Sequence, residues 1–228
     1  MKNPLSCFVT GTDTEIGKTL VSGALLRIFS ERGFHAAAMK PVAAGAEWRN
    51  GQWRNDDVEL LGAHATVDLP TSLMCPYLLK TAAAPHIAAR LEGIVIEMSQ
   101  IKACYEQICA QSDVVVVEGV GGFRVPLNNE FDTADLAGQL ALPVVLVVGM
   151  RLGCINQTLV TAEAIAARGL QCVGWVANCN TAPMPFLTEN IEALATRMSA
   201  PLLGVIPHLD EPNPHNAMRY LKIPASWA

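Results

Sequence analysis

The sequence has few charged residues and no cluster of positive charge. Only 16% of the 228 residues are charged, whereas 51% are hydrophobic. So much apolar side chain can offset the entropy that a chain loses on folding, which excludes intrinsic disorder. The 16 Lys and Arg residues against 21 Asp and Glu residues give a net charge of −5. Because proteins neutralise nucleic acid phosphates with clustered Lys and Arg, we expect no nucleic acid partner.

The sequence also has no apolar run long enough to cross a membrane. The richest run, residues 141–150, is short and is interrupted by Pro143 and Gly149. Polar residues 10–13 stand where a signal peptide would have its apolar core. The seven cysteines are odd in number and form no C-x-x-C pair, which favours free thiols in a reducing compartment. We therefore expect a cytoplasmic protein without a membrane partner.

The motifs of two common enzyme classes are missing as well. The five histidines lack the spacing of metal ligands, and no serine stands in a G-x-S-x-G motif. A metallohydrolase and a serine hydrolase therefore have no support. No repeat, low-complexity tract or linker divides the 228 residues, so we expect a single domain over 1–228.

The order of the apolar segments predicts alternating strands and helices. Short β-branched runs are almost continuously apolar, which is typical of strands covered on both faces of a parallel sheet. These runs are residues 7–10, 113–117, 143–148, 173–176 and 202–206, with a weaker candidate at 36–39. Helix-length segments lie between them at 17–32, 99–111, 156–168 and 185–198, and residues 45–56 are interpreted as a loop over one end of the sheet. The alternation predicts an α/β fold, with a doubly wound, mostly parallel sheet and helices on both faces.

One motif carries strong functional information. Residues 11–19, with the sequence GTDTEIGKT, follow the first strand and begin the first helix, where a phosphate-binding loop belongs. Backbone N–H groups and the positive end of the helix would surround phosphates there. Lys18 would reach the β- and γ-phosphates, and Thr19 would bind Mg²⁺. Thr12 stands at the usual first glycine, so an ordinary strand-to-helix turn is the alternative. We favour the phosphate loop and a sheet of the P-loop NTPase type.

Other polar residues stand at or near the ends of predicted strands. Glu118 ends one strand, where such proteins place a second Mg²⁺ ligand. Lys40 ends another, and it is either a surface lysine or a group that stabilises charge on a transferred phosphoryl group. The aspartates at 56–57 are interpreted, on pattern alone, as a solvated pair that caps a helix over 58–63. Asn178 is either a turn residue or a group that binds adenine through its carboxamide.

Several segments of the chain, taken in order, resemble dethiobiotin synthetase. They extend over essentially the whole sequence, and TGTDTEIGKT is nearly diagnostic among phosphate-loop proteins. The matching segments are residues 10–19, 40–43, 55–57, 85–86, 117–122, 149 with 152–156, and 174–178.

The resemblance implies an ATP-dependent ring closure in biotin synthesis. In this family, CO₂ adds to one amine of 7,8-diaminononanoate (7,8-diaminopelargonate) to give a carbamate. The carbamate oxygen attacks the γ-phosphate of ATP and forms a carbamic–phosphoric anhydride. The second amine then closes the cyclic urea of dethiobiotin, which releases phosphate and leaves ADP. Such chemistry needs positioning and charge neutralisation rather than a protein nucleophile.

The resemblance also implies roles for individual residues. Lys40 and Lys18 would be catalytic, and Thr19, Asp57 and Glu118 would bind Mg²⁺. ATP would contact the phosphate loop and the ends of several strands, at Glu15, Ile16, Gly17, Lys18, Thr19, Leu20, Asp57, Glu118, Gly119, Val120, Gly121, Asn178, Cys179, Pro207, His208 and Leu209. The diamine would contact Thr14, Lys40, Ala44, Leu152, Gly153 and Cys154. In the family, the carboxylate site at residues 152–154 belongs to the neighbouring subunit, so a homodimer is implied.

The sequence departs from the family at a few positions. Ala44 stands where relatives often carry a serine that contacts substrate, and Ala84 replaces a serine before Pro85. Cys179 follows Asn178 where Asp is common. These departures concern substrate and ribose contacts, not the class of reaction.

Two other functional classes are alternatives to the synthetase. A nucleotide-dependent switch or partition ATPase typically carries a lysine early in its phosphate loop, and residues 12–14 contain none. A catalytically silent regulatory module would not need the set of Lys18, Thr19, Lys40, Asp57 and Glu118, which is intact. The residues therefore favour the enzyme.

Overall fold

The chain folds into a parallel sheet between two layers of helices. Its structure is a computed structural model that describes residues 4–180, 183–224 and 227. The strands are β1 (Leu5–Gly11), β2 (Ala36–Met39), β3 (Val42–Ala43), β4 (Glu47–Arg49), β5 (Gln52–Arg54), β6 (Tyr77–Leu78), β7 (Val114–Glu118), β8 (Val144–Gly149), β9 (Cys172–Asn178) and β10 (Leu202–Ile206). The helices are α1 (Lys18–Glu31), α2 (Asp56–His64), α3 (Thr71–Met74), α4 (Pro85–Leu91), α5 (Met98–Cys109), α6 (Thr133–Leu140), α7 (Cys154–Ala167), α8 (Leu187–Ala195) and α9 (Pro214–Ala217), and a 3₁₀ helix follows at Met218–Tyr220. None of the helices in these described ranges combines the length and the apolar character that a membrane span requires.

The central sheet has six strands in the order β10-β9-β8-β1-β7-β2, and all neighbouring strands are parallel. From β1 the chain first builds the β7 and β2 side of the sheet and later the β8, β9 and β10 side. The strand order therefore reverses next to β1, and in open α/β sheets this is where ligands bind, at the carboxyl ends of the strands. The predicted doubly wound, mostly parallel sheet is confirmed.

Successive residues of the central strands point into opposite apolar layers. In β7, Val115 and Val117 pack in one layer, whereas Val114 and Val116 pack in the other. The first layer includes residues of α5, α6, α7 and α8, and the second includes residues of α1, α2 and α9. Because both faces of the sheet are covered, its strands have no polar face, which explains their continuous apolar sequences.

The predicted and observed elements agree well in the sheet and less well outside it. The strands at 36–39 and 202–206 have the predicted bounds, and the other four predicted strands differ by no more than two residues at either end. Helices α4 and α6 were not predicted. The interpretation of residues 45–56 as a loop is wrong, because β4 and β5 form an antiparallel hairpin there. Its turn residues Asn50 and Gly51 have φ values of 53° and 81°, as a tight two-residue hairpin turn requires.

The start of α2 also differs from the sequence interpretation. The N-cap is Asn55, whose Oδ1 accepts a hydrogen bond from Val58 N at 3.3 Å. Asp56 and Asp57 lie in the first turn of the helix instead, so neither of them is the cap. Asp57 is thereby free to take part in the contacts described below.

Candidate active site

A cavity of about 980 Å³ opens at the carboxyl ends of the sheet strands. Its walls come from the phosphate loop, the first turns of α1 and α2, and the loops that follow β2, β6, β7, β9 and β10. The lining residues are Thr14, Glu15, Gly17, Lys18, Thr19, Leu20, Lys40, Ala44, Asp57, Ala82, Ala83, Ala84, Pro85, Val120, Gly121, Val125, Asn178, Asn180 and Pro212. Parallel strands thus bring residues that are distant in sequence to one edge of the sheet.

The phosphate loop joins β1 to α1 and depends on glycine at its last turn. Gly17, the residue before the helix, has a φ of 88°, a backbone conformation that favours glycine. A Cβ atom at this position would meet Asn178 Nδ2 at 2.1 Å. Helix α1 begins at Lys18, so the positive end of its dipole lies at the cavity, where anions are stabilised.

Two asparagines at the end of β9 hold the phosphate loop. Asn178 Nδ2 donates to the Ile16 carbonyl and Asn180 Nδ2 donates to the Glu15 carbonyl, each at 2.7 Å. Glu15 has a φ of 57°, which is uncommon for a residue with a side chain, and the bond from Asn180 helps to hold it. Asn178 is only 1% exposed and uses one of its amide hydrogens inside the protein. Sequence reasoning missed Asn180; the available signal was a second carboxamide two residues after Asn178.

Four polar side chains from different elements converge beside the phosphate loop. Lys40 Nζ donates to Asp57 Oδ2 at 2.8 Å and to Glu118 Oε1 at 2.5 Å. Thr19 Oγ1 lies 2.8 Å from Asp57 Oδ1 and 2.9 Å from Glu118 Oε1. The strand order explains this meeting, because β2 and β7 are neighbours, and Lys40 follows the one while Glu118 ends the other. We call these four residues the carboxylate–lysine cluster.

The cluster is an ionic group that is largely removed from solvent. The Glu118 side chain is 0% exposed and that of Lys40 is 4% exposed, whereas that of Asp57 is 46% exposed. Burial opposes the charged form of Lys40, but the attraction of Glu118 and Asp57 outweighs it and raises the pKa of Lys40 above its ordinary value. Burial also opposes ionisation of Asp57, yet the Lys40 ammonium holds the pKa of Asp57 below its ordinary value. Lys40 is therefore charged at neutral pH.

The oxygen atoms of the cluster fit Mg²⁺. Glu118 Oε2 is buried and has no hydrogen-bond partner among the described residues. A buried polar atom without a partner costs free energy, which a bound cation offsets. Mg²⁺ prefers oxygen ligands and is usually held by one or two carboxylates together with water and substrate phosphates. Thr19, Asp57 and Glu118 therefore offer the oxygen ligands that an ion shared with substrate phosphates needs. In the part of the chain described here, no group of three His, Cys, Asp or Glu residues could hold a metal ion.

Lys18 is a second buried lysine at this edge of the sheet. It is 6% exposed, and its Nζ donates to the Asp13 carbonyl at 2.8 Å. Burial lowers the pKa of Lys18 from 10.5 to about 8, although Glu118 acts in the opposite direction. The Asp13 side chain accepts from Thr14 N at 2.8 Å and forms an ion pair with Arg151, which follows β8. Among the described residues, no carboxylate lies within ion-pair distance of Lys18, and its ammonium is available to an anion.

The residues predicted to bind the substrate carboxylate lie outside this cavity. Gly153 precedes α7 with a φ of 95°, and Cys154 is the first residue of that helix, so the predicted helix N-terminus is present. Cys154 is buried, whereas Leu152 is 95% exposed. None of the three lines the cavity of the same chain.

The structure brings most of the predicted site residues together, but not all of them. Those that line the cavity are Thr14, Glu15, Gly17, Lys18, Thr19, Leu20, Lys40, Ala44, Asp57, Val120, Gly121 and Asn178. Buried Ile16 and Glu118 contact these residues from behind. Outside the lining lie Gly119, Cys179, Pro207, His208 and Leu209. Sequence reasoning did not assign Ala82, Ala83, Val125 or Pro212 to the site, because small apolar side chains carry no chemical signal and their position depends on the tertiary fold.

Solved structures similar to this chain share its fold. The cell division protein MinD of Aquifex aeolicus aligns with a TM-score of 0.55 and 14% identity, over 90% of this chain and 83% of MinD. The signal recognition particle 54 kDa protein of Aeropyrum pernix, in complex with GDP, aligns with a TM-score of 0.54 and 14% identity, over 96% of this chain and 45% of that protein. At such low identity the likeness shows a P-loop NTPase fold alone.

Sequence relatives identify the family. A family model described as an AAA domain matches residues 6–216. The ATP-dependent dethiobiotin synthetase BioD of Janthinobacterium sp. (strain Marseille) is 56% identical over 97% of this chain and 95% of its own length. The enzyme of the same name from Aromatoleum aromaticum is 54% identical over 98% of this chain and its full length. With this identity over nearly the whole chain, and with the phosphate loop and the carboxylate–lysine cluster in place, the chain belongs to the ATP-dependent dethiobiotin synthetase family.

Proposed function

We propose that this chain closes the ring of dethiobiotin from 7,8-diaminononanoate, CO₂ and ATP, with Mg²⁺ as cofactor. The observation that carries the proposal is the carboxylate–lysine cluster, which lies beside a phosphate loop at the edge of the sheet. Relatives that are 56% and 54% identical bear the name of this activity.

The proposed reaction has three steps. One amine of the diamine attacks CO₂ and loses a proton, which gives a carbamate. A carbamate oxygen attacks the γ-phosphorus, and the bond from the γ-phosphorus to the bridging oxygen breaks, so that ADP leaves and a carbamic–phosphoric anhydride remains. The second amine attacks the carbonyl carbon, the bond to the phosphate oxygen breaks, and one proton is released. No step requires a protein nucleophile, and the residues act through position and charge.

The two lysines have different proposed tasks. Lys18 would neutralise the triphosphate in the ground state and in the transition state, since its ammonium has no carboxylate partner in the described residues. Lys40 would stabilise the charge that the carbamate and the γ-phosphoryl group share during transfer. Both lysines line the same cavity.

Mg²⁺ would be held by Thr19, Asp57 and Glu118 and would supply neutralisation of phosphate charge. Residues 14–20 and 118–121 would surround the phosphates. Asn178 would contact adenine with the part of its carboxamide that the loop does not use, and the segments 178–179 and 207–209 would form the base pocket. Thr14, Lys40 and Ala44 would face the diamine.

We also propose that a homodimer completes the substrate site. Residues 152–154 lie at the N-terminus of α7 and do not line the cavity of their own chain, so they would bind the carboxylate of a diamine held by the partner subunit. Leu152 and Val160 are 95% and 56% exposed, and burial in a subunit interface would explain these apolar side chains. The seven free cysteines support the proposal of a reducing, cytoplasmic compartment.

The test is an assay of the pure protein with ATP, Mg²⁺, bicarbonate and 7,8-diaminononanoate. ADP release should depend on the diamine, and dethiobiotin should form in equal amount by mass spectrometry. ATP hydrolysis that is indifferent to the diamine would contradict the proposal and favour a nucleotide-dependent switch. ATP binding without any turnover would favour a regulatory module.

A further inference from the structure

We infer that Lys40 and a divalent cation compete for the same carboxylate oxygens, so that the Lys40 ammonium holds the metal site until the cation displaces it toward the cavity. This inference rests on the proposed Mg²⁺ site and adds a second task for Lys40. The catalytic lysine would be neutralised by protein carboxylates until metal binding makes it available to an anionic substrate.

The contacts of Lys40 carry this inference. Its Nζ contacts Asp57 Oδ2 and Glu118 Oε1, while Thr19 Oγ1 contacts the other oxygen of Asp57 and the same Oε1 of Glu118. The ammonium is therefore bonded to both carboxylates of the proposed metal site. A hard cation bound by Asp57 and Glu118 would lie within a few ångströms of this ammonium, and like charges at such a distance repel strongly. Glu118 Oε1 already accepts from both Lys40 Nζ and Thr19 Oγ1, so a cation that binds this oxygen must displace one of these contacts, and charge repulsion selects the ammonium.

Charge balance gives the reason for the arrangement. Glu118 is fully buried, and a buried carboxylate without a cation is strongly destabilising. Lys40 supplies the compensating charge from the neighbouring strand. A divalent cation brings more charge than Lys40. It can also be bound by Glu118 Oε2, which lacks a partner among the described residues. Exchange of one cation for the other keeps Glu118 compensated throughout.

The position of Lys40 gives the exchange a consequence. Lys40 lines the cavity that would hold the γ-phosphate and the carbamate. With its ammonium bonded to two carboxylates, it offers little net charge to an anion. Once a divalent cation takes the carboxylates, Lys40 gives up both partners and its ammonium is free to pair with substrate. Metal binding and the availability of the catalytic lysine would thus be linked.

The test measures Mn²⁺ binding to the nucleotide-free full-length protein by electron paramagnetic resonance. Mn²⁺ takes oxygen ligands like those of Mg²⁺ and reports its own binding. Removal of the competing ammonium in Lys40→Met or Lys40→Gln should tighten Mn²⁺ binding at least about 10-fold. Lys102→Met, which removes a partly exposed lysine from α5, should bind Mn²⁺ like the wild type. The double variant Lys40→Met with Glu118→Gln should lose the gain in Mn²⁺ affinity, which would show that the tighter binding occurs at Glu118.

Equal or weaker Mn²⁺ binding by both Lys40 variants would overturn the inference. If neither variant folds in chelated buffer, Mn²⁺ should restore the fold, because the cation replaces the missing ammonium. Failure of Mn²⁺ to restore it would also overturn the inference. No diamine, CO₂ or ATP is present in this experiment, so its result is independent of the dethiobiotin assay. A gain in Mn²⁺ affinity without dethiobiotin formation would refute the proposed function alone.

Discussion

Two buried lysines lie at the same edge of the sheet, and their surroundings differ in charge. Lys18, in the phosphate loop, donates to a backbone carbonyl, and burial lowers its pKa to about 8. Lys40, after β2, donates to two carboxylates, and these raise its pKa above the ordinary value despite burial. One ammonium is a buried charge without a counter-ion in the described residues, and the other is fully compensated.

The difference indicates what each lysine does before a ligand binds. Lys18 lowers the stability of the folded protein, because its charge is removed from water and receives only one hydrogen bond, to a neutral carbonyl, in return. A bound triphosphate would recover that loss, in keeping with the role in ATP binding that we propose for Lys18. Lys40 stabilises the folded protein as the partner of two carboxylates. Under the proposals above, Lys40 would become available for catalysis only after those carboxylates take another cation.

The largest expected effect separates the two lysines by stability. In buffer with a chelator, Lys40→Met should lose about 3–5 kcal/mol of unfolding free energy, because Glu118 is left buried without its cation. Lys18→Met should lose none. Urea unfolding followed by circular dichroism measures both, with Lys102→Met as a control. Equal stabilities for the two variants would remove the contrast between the lysines.

The second effect concerns turnover. Lys40→Gln should lower kcat about 10²-fold or more, as expected for loss of a group that stabilises transition-state charge. The affinity for ATP should change much less, since the phosphate loop is unaltered. Steady-state kinetics with both substrates varied, together with calorimetry of ATP binding, decides the matter. A near-normal kcat would reduce Lys40 to a structural ion-pair partner.

The third effect is the reverse pattern at Lys18. Lys18→Ala should weaken ATP binding by roughly 1.5–3 kcal/mol through loss of a charge-assisted contact, and turnover should fall with it. Calorimetry with a non-hydrolysable ATP analogue tests this on the folded variant. Unchanged affinity would show that the phosphate loop binds through its backbone alone.

The fourth effect is a pH dependence of stability that follows from the lowered pKa of Lys18. At neutral pH, Lys18→Met should be roughly 2 kcal/mol more stable than the wild type, because the folded wild type holds an unfavourable proton. This advantage should shrink as pH rises from about 8 toward 10.5. In this range the unfolded wild type still binds the Lys18 proton and the folded wild type does not, so the cost of the buried charge falls and is gone above 10.5. The contribution of Lys40 to the free energy of unfolding is constant over this pH range. The pKa of Lys40 is raised in the folded protein, so its stabilising contribution is lost only as pH rises above 10.5, the ordinary pKa of a lysine. A difference that does not vary with pH would contradict the lowered pKa.

The smallest effect concerns the ion pair that joins the phosphate loop to β8. Both side chains of the Arg151–Asp13 pair are about half exposed, at 45% and 41%. Arg151→Gln should therefore cost less than about 1 kcal/mol in stability and raise the KM for ATP only slightly. A loss as large as that of Lys40→Met would mean that exposure does not decide which ionic contacts matter here.

Local sequence signals were sufficient to predict the six strands of the sheet. They were also present for a hairpin and a helix that the sequence analysis missed. The almost continuous apolar runs predicted all six strands of the sheet, because burial on both faces leaves no place for polar residues. The hairpin at 47–54 was missed although Asn50 and Gly51 form a strong signal for a tight turn. Helix α4 was missed although Pro85 stands at its start, a position that proline favours. Both errors came from unused turn and helix-start signals.

The amino-acid sequence is enough to identify the phosphate loop, since glycine, lysine and threonine at this spacing lie within one strand, one turn and one helix. It is also enough to identify the family, through motifs spread along the chain. The charge state of Lys40 could not be predicted in this way, because its sequence position is equally compatible with a surface lysine. Its partners Asp57 and Glu118 are 17 and 78 residues away, and they reach it only because β2 pairs with β7 and α2 starts beside them. Charge compensation depends on distances across the sheet edge, and no local pattern of residues contains those distances.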